Sequence, residues 1–144
     1  VKVFSIGHST RTVGEFLKKL VENDIEAVID VRSRPYSSRF PHFNRHALYR
    51  SLSEVNISYI FKGNNLGGLD ENVDFDKAID EVYELSKRKR VVLLCSEGDF
   101  HKCHRYNTLA PILEDKGAKM YHILWDTTNV NEYEEKKVKK SKIS

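Results

Sequence analysis

The sequence predicts a three-layer α/β/α domain, with a mainly parallel sheet of about five strands and helices on both faces. Three observations carry that expectation. Apolar residues come in short unbroken runs such as Val91-Val92-Leu93-Leu94, which suit strands buried on both faces better than strands with one wet side. Helical patterns separate the runs, so successive strands are joined by crossovers and lie parallel. Finally, the runs hand over directly to reactive residues. Val3-Phe4-Ser5-Ile6 leads into Gly7-His8-Ser9-Thr10, Ala27-Val28-Ile29 into Asp30-Val31-Arg32, and the 91–94 run into Cys95-Ser96-Glu97. In a parallel sheet these exits share one edge, where open α/β folds bind ligands.

The elements follow in order. Thr12-Val13-Gly14-Glu15 has the capping-box pattern, and Val13, Phe16, Leu17, Leu20 and Val21 then occupy one helical face. With the flanking strands this helix makes a βαβ unit. Asn44 is placed to cap a second helix with Leu48, Leu52 and Val55 on one face, and residues 57–61 form the next strand. Asn64-Asn65-Leu66-Gly67-Gly68 reads as a tight backbone turn. Phe75, Ile79, Val82 and Tyr83 mark a third helix, closed by the basic run 87–90 at its negative dipole end. After the Cys95 strand, a helix from about Lys102 to Gly117 faces Tyr106, Leu109, Ala110 and Leu113 inward. Pro111 demands a kink or restart in it, because proline lacks the N–H and clashes with the carbonyl four residues back. Residues 120–125 supply the last strand. Among the open α/β strand orders, the flavodoxin-like 2-1-3-4-5 is favoured.

A chain of 144 residues with 40% apolar content suits one domain, placed at 1–128, followed by a Lys-rich tail at 129–144 that is frayed or only partly helical. The formal charge of +3 is too small to prove a polyanionic partner, although Arg and His cluster between 32 and 50. No run approaches the roughly 20 apolar residues of a membrane span, and the chain opens on a strand pattern instead of a leader. The expected setting is the cytoplasm. There, Cys95 and Cys103 are expected as reduced thiols, with a redox pair left open by the spacing.

The loop 33–43 leaves from the ligand edge and is too long and too rich in Arg, Pro and aromatic residues for a minimal connection. Arg32, Arg34 and Arg39 suit phosphate oxygens, and Tyr36, Phe40, His42 and Phe43 suit a stacked base. The bland alternative is that Phe40 and Phe43 pack the loop down and the arginines stay solvated. His8, Ser9 and Thr10 precede the N-terminus of the first helix and offer half of a phosphate cradle, without the glycines and Lys of a Walker loop. Asp30 ends an apolar strand and is either paired with Arg32, two residues on, or available for acid/base chemistry with Glu97. Cys95 at a strand end is either a nucleophile or a small buried hydrophobe, and the Cys-x5-Arg spacing of rhodaneses and tyrosine phosphatases is broken by His101. A zinc site would recruit Cys95, Cys103 and His104, with His101 or His8. It lacks a CxxC or HExxH signature, so no metal is assigned. Arg105, just inside a helix start, opposes the dipole and needs an anionic partner.

The order Ile6-Gly7-His8-Ser9-Thr10, Asp30-Val31-Arg32-Ser33-Arg34-Pro35, Phe43-Asn44-Arg45, Leu66-Gly67-Gly68, Leu94-Cys95-Ser96-Glu97 and Cys103-His104-Arg105 resembles the domain-of-unknown-function family numbered 488. The resemblance runs from residue 3 to about residue 123 and leaves out the tail. It implies that these segments, with Gly67, Gly68 and His104 among them, build one site, and it supplies no reaction. The resulting expectation is an enzyme acting on a nucleotide, nucleic acid or other phosphorylated ligand. Arg32, Arg34, Arg39, Arg105, Ser9 and Thr10 would hold phosphate; Glu97, Asp30, His8 and Cys95 would carry the chemistry. The alternatives are a non-catalytic nucleic-acid-binding module and a cysteine-dependent sulfur or phosphoryl transferase.

Overall fold

Five parallel strands form the sheet: β1 (Lys2–Gly7), β2 (Ala27–Asp30), β3 (Ser58–Phe61), β4 (Val91–Cys95) and β5 (Lys119–Ile123). A short β6 (Tyr133–Glu135) adds to β5 in the antiparallel sense. The computed structural model describes residues 1–68, 72–125 and 133–135, leaving out the side chains at 100, 105, 106 and 133–135. The segment expected as a tail thus contributes an edge strand, and its lysines lie outside the described residues.

The order is β3-β2-β4-β1-β5-β6, which corrects the flavodoxin-like expectation. β4 inserts between β1 and β2, so these two strands are joined in sequence but never paired. The physical reason lies in side-chain character. Val91 to Leu94 are wholly buried and take a central position, while Ser58-Tyr59-Ile60-Phe61, partly exposed along its length, takes the edge.

Strand periodicity divides the core in two. Phe4, Ile6, Val28, Val92, Leu94 and Ile123 face α1 (Val13–Glu22) and α2 (Arg45–Glu54) through Phe16, Leu20, Leu48 and Leu52. Val3, Ala27, Ile29, Val91, Leu93 and Met120 face α4 (Phe75–Ser86) and α5 (Ala110–Lys116) through Ile79, Val82, Ala110 and Leu113. Helices cover both faces, as the three-layer expectation requires. From β1 the chain moves toward the β3 edge, and from β4 it moves toward the β5 edge. The reversal falls between β1 and β4, and the crevice outside their carboxyl ends is where such folds place ligands.

Local differences have local causes. The Thr12 capping box forms in full, but Val21 and Val55 are exposed: Val21 lies off the buried Phe16 and Leu20 stripe, and Val55 is already the C-cap of α2. Asn44 starts α2 as expected without capping it, because its Oδ1 accepts the Ser37 amide at 2.6 Å instead. The turn expected at 64–68 contains a single helical turn, α3 (Gly63–Leu66). The long helix expected from Lys102 is broken into a 3₁₀ turn (Phe100–Lys102), a π-helical segment (Arg105–Leu109) and α5. Pro111 sits in the first turn of α5, where its missing N–H costs nothing, and the restart falls immediately before it. Among the described residues, no helix is long and apolar enough to cross a membrane.

Candidate functional site

The site begins at the last residue of β1. Beyond the strands the β1–β4 ladder continues, with the His8 amide donating to the Cys95 carbonyl at 3.0 Å and the Ser9 amide to the Ser96 carbonyl at 2.9 Å. The two main chains stay in contact at their exit, and a Cβ on Gly7 would stand 1.7 Å from the Glu97 carbonyl oxygen. Only glycine fits. Ser9 then takes a left-handed φ of 52° and turns the chain toward the Thr12 cap. Behind this turn, Trp125 donates its indole N–H to the Gly7 carbonyl.

His8 is buried and stacks on Phe43, with ring centroids 4.3 Å apart and planes 18° from parallel. Its Nδ1 lies 2.8 Å from the Ser9 carbonyl; an oxygen that only accepts assigns the proton to Nδ1 and leaves the lone pair on Nε2. Burial lowers the His8 pKa to about 4, with Arg32 adding to the shift and the Ser9 hydrogen bond and Asp30 opposing it. At neutral pH this imidazole is an uncharged acceptor.

Asp30 is fully buried at the end of β2, and both its oxygens are engaged. Oδ1 accepts the Arg32 backbone amide at 3.1 Å and Nε at 2.9 Å; Oδ2 accepts an Arg32 Nη at 2.8 Å and the Tyr59 hydroxyl at 2.6 Å. Burial, followed by the adjacent carboxylate, holds the Tyr59 hydroxyl protonated far above its usual range. Of the two options for Asp30, this geometry is that of a positioning residue: it fixes the plane of the Arg32 guanidinium.

His8, Ser9, Thr10, Arg32, Arg34 and Glu97 border one cavity of about 390 Å³, and Tyr36, Phe40 and Phe43 complete its wall. The loop behind it is ordered by its own contacts. Ser37 Oγ accepts the amides of Arg39 and Phe40 at 3.1 Å, and the Arg45 amide donates to the Pro35 carbonyl at 3.0 Å. Phe43 goes into the core and Phe40 is half-buried, so the packing role and the cavity role coexist. Arg39 is exposed with its guanidinium 5.2 Å from the Phe40 ring centre, outside this lining. Glu97 is exposed, and its Oε1 accepts the Asp99 amide at 3.0 Å, which bends the loop leaving β4.

A second depression of about 320 Å³ shares Arg32, Arg34, Ser96 and Glu97 with the first and adds Gly68, Cys95, Lys102, Cys103 and His104. Here the cysteines, expected as thiols, form a disulfide. The 3₁₀ turn after Asp99 folds the chain back so that Cys103 returns to the end of β4. The Leu66-Gly67-Gly68 segment is the platform against which this turn rests. Leu66 gives its carbonyl to His104 Nε2 at 2.9 Å, and a Cβ on Gly67 would lie 2.0 Å from Ser33 Oγ. The side chain of Arg105 lies outside the described residues.

The structure therefore brings His8, Ser9, Thr10, Arg32, Arg34 and Glu97 together, sets Asp30 beneath them, and places Cys95, His104, Gly67 and Gly68 in or beside the adjoining depression. Sequence reading missed Tyr59 and Trp125, whose roles depend on strand pairing that no local pattern encodes. It also missed the main-chain apposition of Gly7 with residues 97 and 98.

Comparison with curated proteins and with solved structures returns no match. The family comparison matches residues 12–74, a shorter stretch than the motif order implied, with the Gly7-His8-Ser9 turn and the Cys95 to Arg105 segment outside it. Within it lie the Asp30–Arg32 fork, the aromatic loop and the Leu66-Gly67-Gly68 platform, and over these residues the chain is similar to the family described as Domain of unknown function DUF488.

Proposed function

We propose that this protein is an enzyme acting on a phosphorylated ligand, a nucleotide or a nucleic-acid segment, bound outside the carboxyl ends of β1 and β4. The observation that carries the reading is the Arg32 guanidinium, buried, held in plane by Asp30, and bordering the cavity with Arg34 and the Ser9 and Thr10 hydroxyls. A fork locked before ligand arrives loses little rotamer entropy on binding, which is the advantage of arginine at phosphate sites. Asp30 offsets the Arg32 charge, so Arg32 supplies direction more than net attraction. Tyr36 and Phe40, also in the cavity wall, suit a base or sugar. Glu97 at the rim is the acid/base group, and neutral His8 offers Nε2 as an acceptor. Chemistry through Cys95 requires the disulfide to be opened first.

Trp125, the only tryptophan, bonds to the Gly7 carbonyl, next in sequence to the cavity-lining His8, and is a ready fluorescence reporter. Titration with inorganic phosphate, AMP, ATP and a single-stranded oligonucleotide at two salt concentrations is expected to show saturable binding. Arg34→Gln should weaken it about tenfold, and Glu97→Gln should preserve binding but lower turnover about 100-fold or more. Absence of binding by all four probes rejects the proposal. Binding only to the oligonucleotide, with steep salt dependence and no turnover, would assign a nucleic-acid module instead.

A further inference from the structure

We propose that Cys95, Cys103 and His104 form a redox-gated site for zinc or a comparably thiophilic ion, closed as the disulfide and open as the dithiol. Cys95 ends β4, and Cys103 and His104 follow the 3₁₀ turn that folds back onto it. Cys95 Sγ, Cys103 Sγ and a ring nitrogen of His104 all lie within 4.8 Å of one another. Two sulfurs and an imidazole are the donor set that zinc and softer ions select over magnesium or calcium.

The orientation of His104 points the same way by an independent route. Its Nε2 faces the Leu66 carbonyl at 2.9 Å, an oxygen that can only accept, so Nε2 carries the proton and the neutral ring keeps its lone pair on Nδ1. Nδ1 is the atom directed at Cys103 Sγ, 3.6 Å away. A histidine whose outer N–H is fixed on a backbone carbonyl while its other nitrogen faces sulfur has the second contact typical of metal-binding imidazoles. Gly68 supports the ring from behind: a Cβ there would lie 3.0 Å from His104 Cγ and Nδ1, so a larger residue would push the donor out of line.

Redox state decides whether the donors are available. In the disulfide each sulfur is bonded to the other and neither is a thiolate. An external dithiol delivers two electrons and two protons to the disulfide and is itself oxidised to a disulfide, leaving two cysteine thiols. The ion then binds both sulfurs and releases their two protons. Cys95 is half-buried and Cys103 almost fully buried, so exchange enters through Cys95. Arg32, Arg34 and Lys102 border the depression and oppose a bare cation, but two thiolates neutralise a divalent charge locally and are themselves stabilised by these cations. Three protein ligands would leave one tetrahedral position for water or a substrate atom, and the depression shares Arg32, Arg34, Ser96 and Glu97 with the larger cavity.

The test uses the full chain and cobalt(II), whose thiolate complexes absorb in the near ultraviolet. Protein reduced with a dithiol and desalted without oxygen should take up one cobalt per chain, with a thiolate-to-metal band that zinc abolishes by displacement. The disulfide form should show no band. His104→Ala should weaken uptake about 10- to 100-fold, and Cys103→Ser should remove the band with unchanged far-ultraviolet circular dichroism. Absence of the band in reduced wild-type protein overturns the proposal, as does equal uptake by the disulfide form. That comparison needs no substitution, so it decides the matter even where a variant fails to fold.

Discussion

At the scale of single residues, His8 carries the most direct consequence. Its pKa in the folded chain is about 4, against an ordinary 6.5, so between those values the unfolded chain takes up a proton that the folded chain refuses. Folding is unaffected by this group above pH 6.5 and loses stability as pH falls toward 4, by about 3 kcal/mol in all. His8→Asn keeps a donor toward the Ser9 carbonyl but cannot titrate. Denaturant unfolding at pH 7 and pH 4.5 should show a shallower acid loss in the variant, and parallel losses would remove His8 as the cause. Individual side chains were legible in the sequence where a short pattern defines them. His8 after a strand and Asp30 two residues before Arg32 both declared themselves, the latter because an ionised carboxylate in an apolar strand needs a partner. Tyr59 did not, since its bond to Asp30 crosses from β3 to β2 and depends on their register.

At the scale of elements, the sharpest contrast is between two glycines close in sequence yet opposite in circumstance, Gly7 and Gly14. At Gly7 a methyl group would collide with the Glu97 backbone, and neither strand end can move without breaking the shared ladder. At Gly14 it would meet nothing closer than Thr12 Oγ1 at 3.9 Å, inside α1. Gly7→Ala should therefore cost about 2–4 kcal/mol and abolish ligand binding, while Gly14→Ala should stabilise by about 0.5–1 kcal/mol. Thermal melts of the pair test the sign of each. The α1 boundaries were readable from Thr12 and Glu15 because a capping box is a local device. The fate of Asn44 was not, because the Ser37 amide competes for the same oxygen from seven residues away. Pro111 announced a break in the fifth helix, and the break takes the form of a π-helical segment that composition does not distinguish from a kink.

At the scale of the whole molecule, layers and sheet direction followed from the alternation of apolar runs with helical stripes, whereas the order of strands did not. An apolar run records that a strand is buried, not which neighbour buries it. β4 could be recognised as a buried strand from Val91-Val92-Leu93-Leu94, but its place between β1 and β2 is written only in pairings such as Val3 with Val91 and Ala27 with Val91. This insertion has a consequence for biosynthesis. While the first 90 residues emerge from a ribosome, β1 and the β2–β3 pair have no strand to join them, and the hydrophobic edges on either side of the gap stay open. The nascent chain should remain protease-sensitive until the Val91 to Cys95 segment clears the exit tunnel, then become resistant in one step. Resistance acquired by shorter arrested chains would show that the two halves find each other without their central wedge.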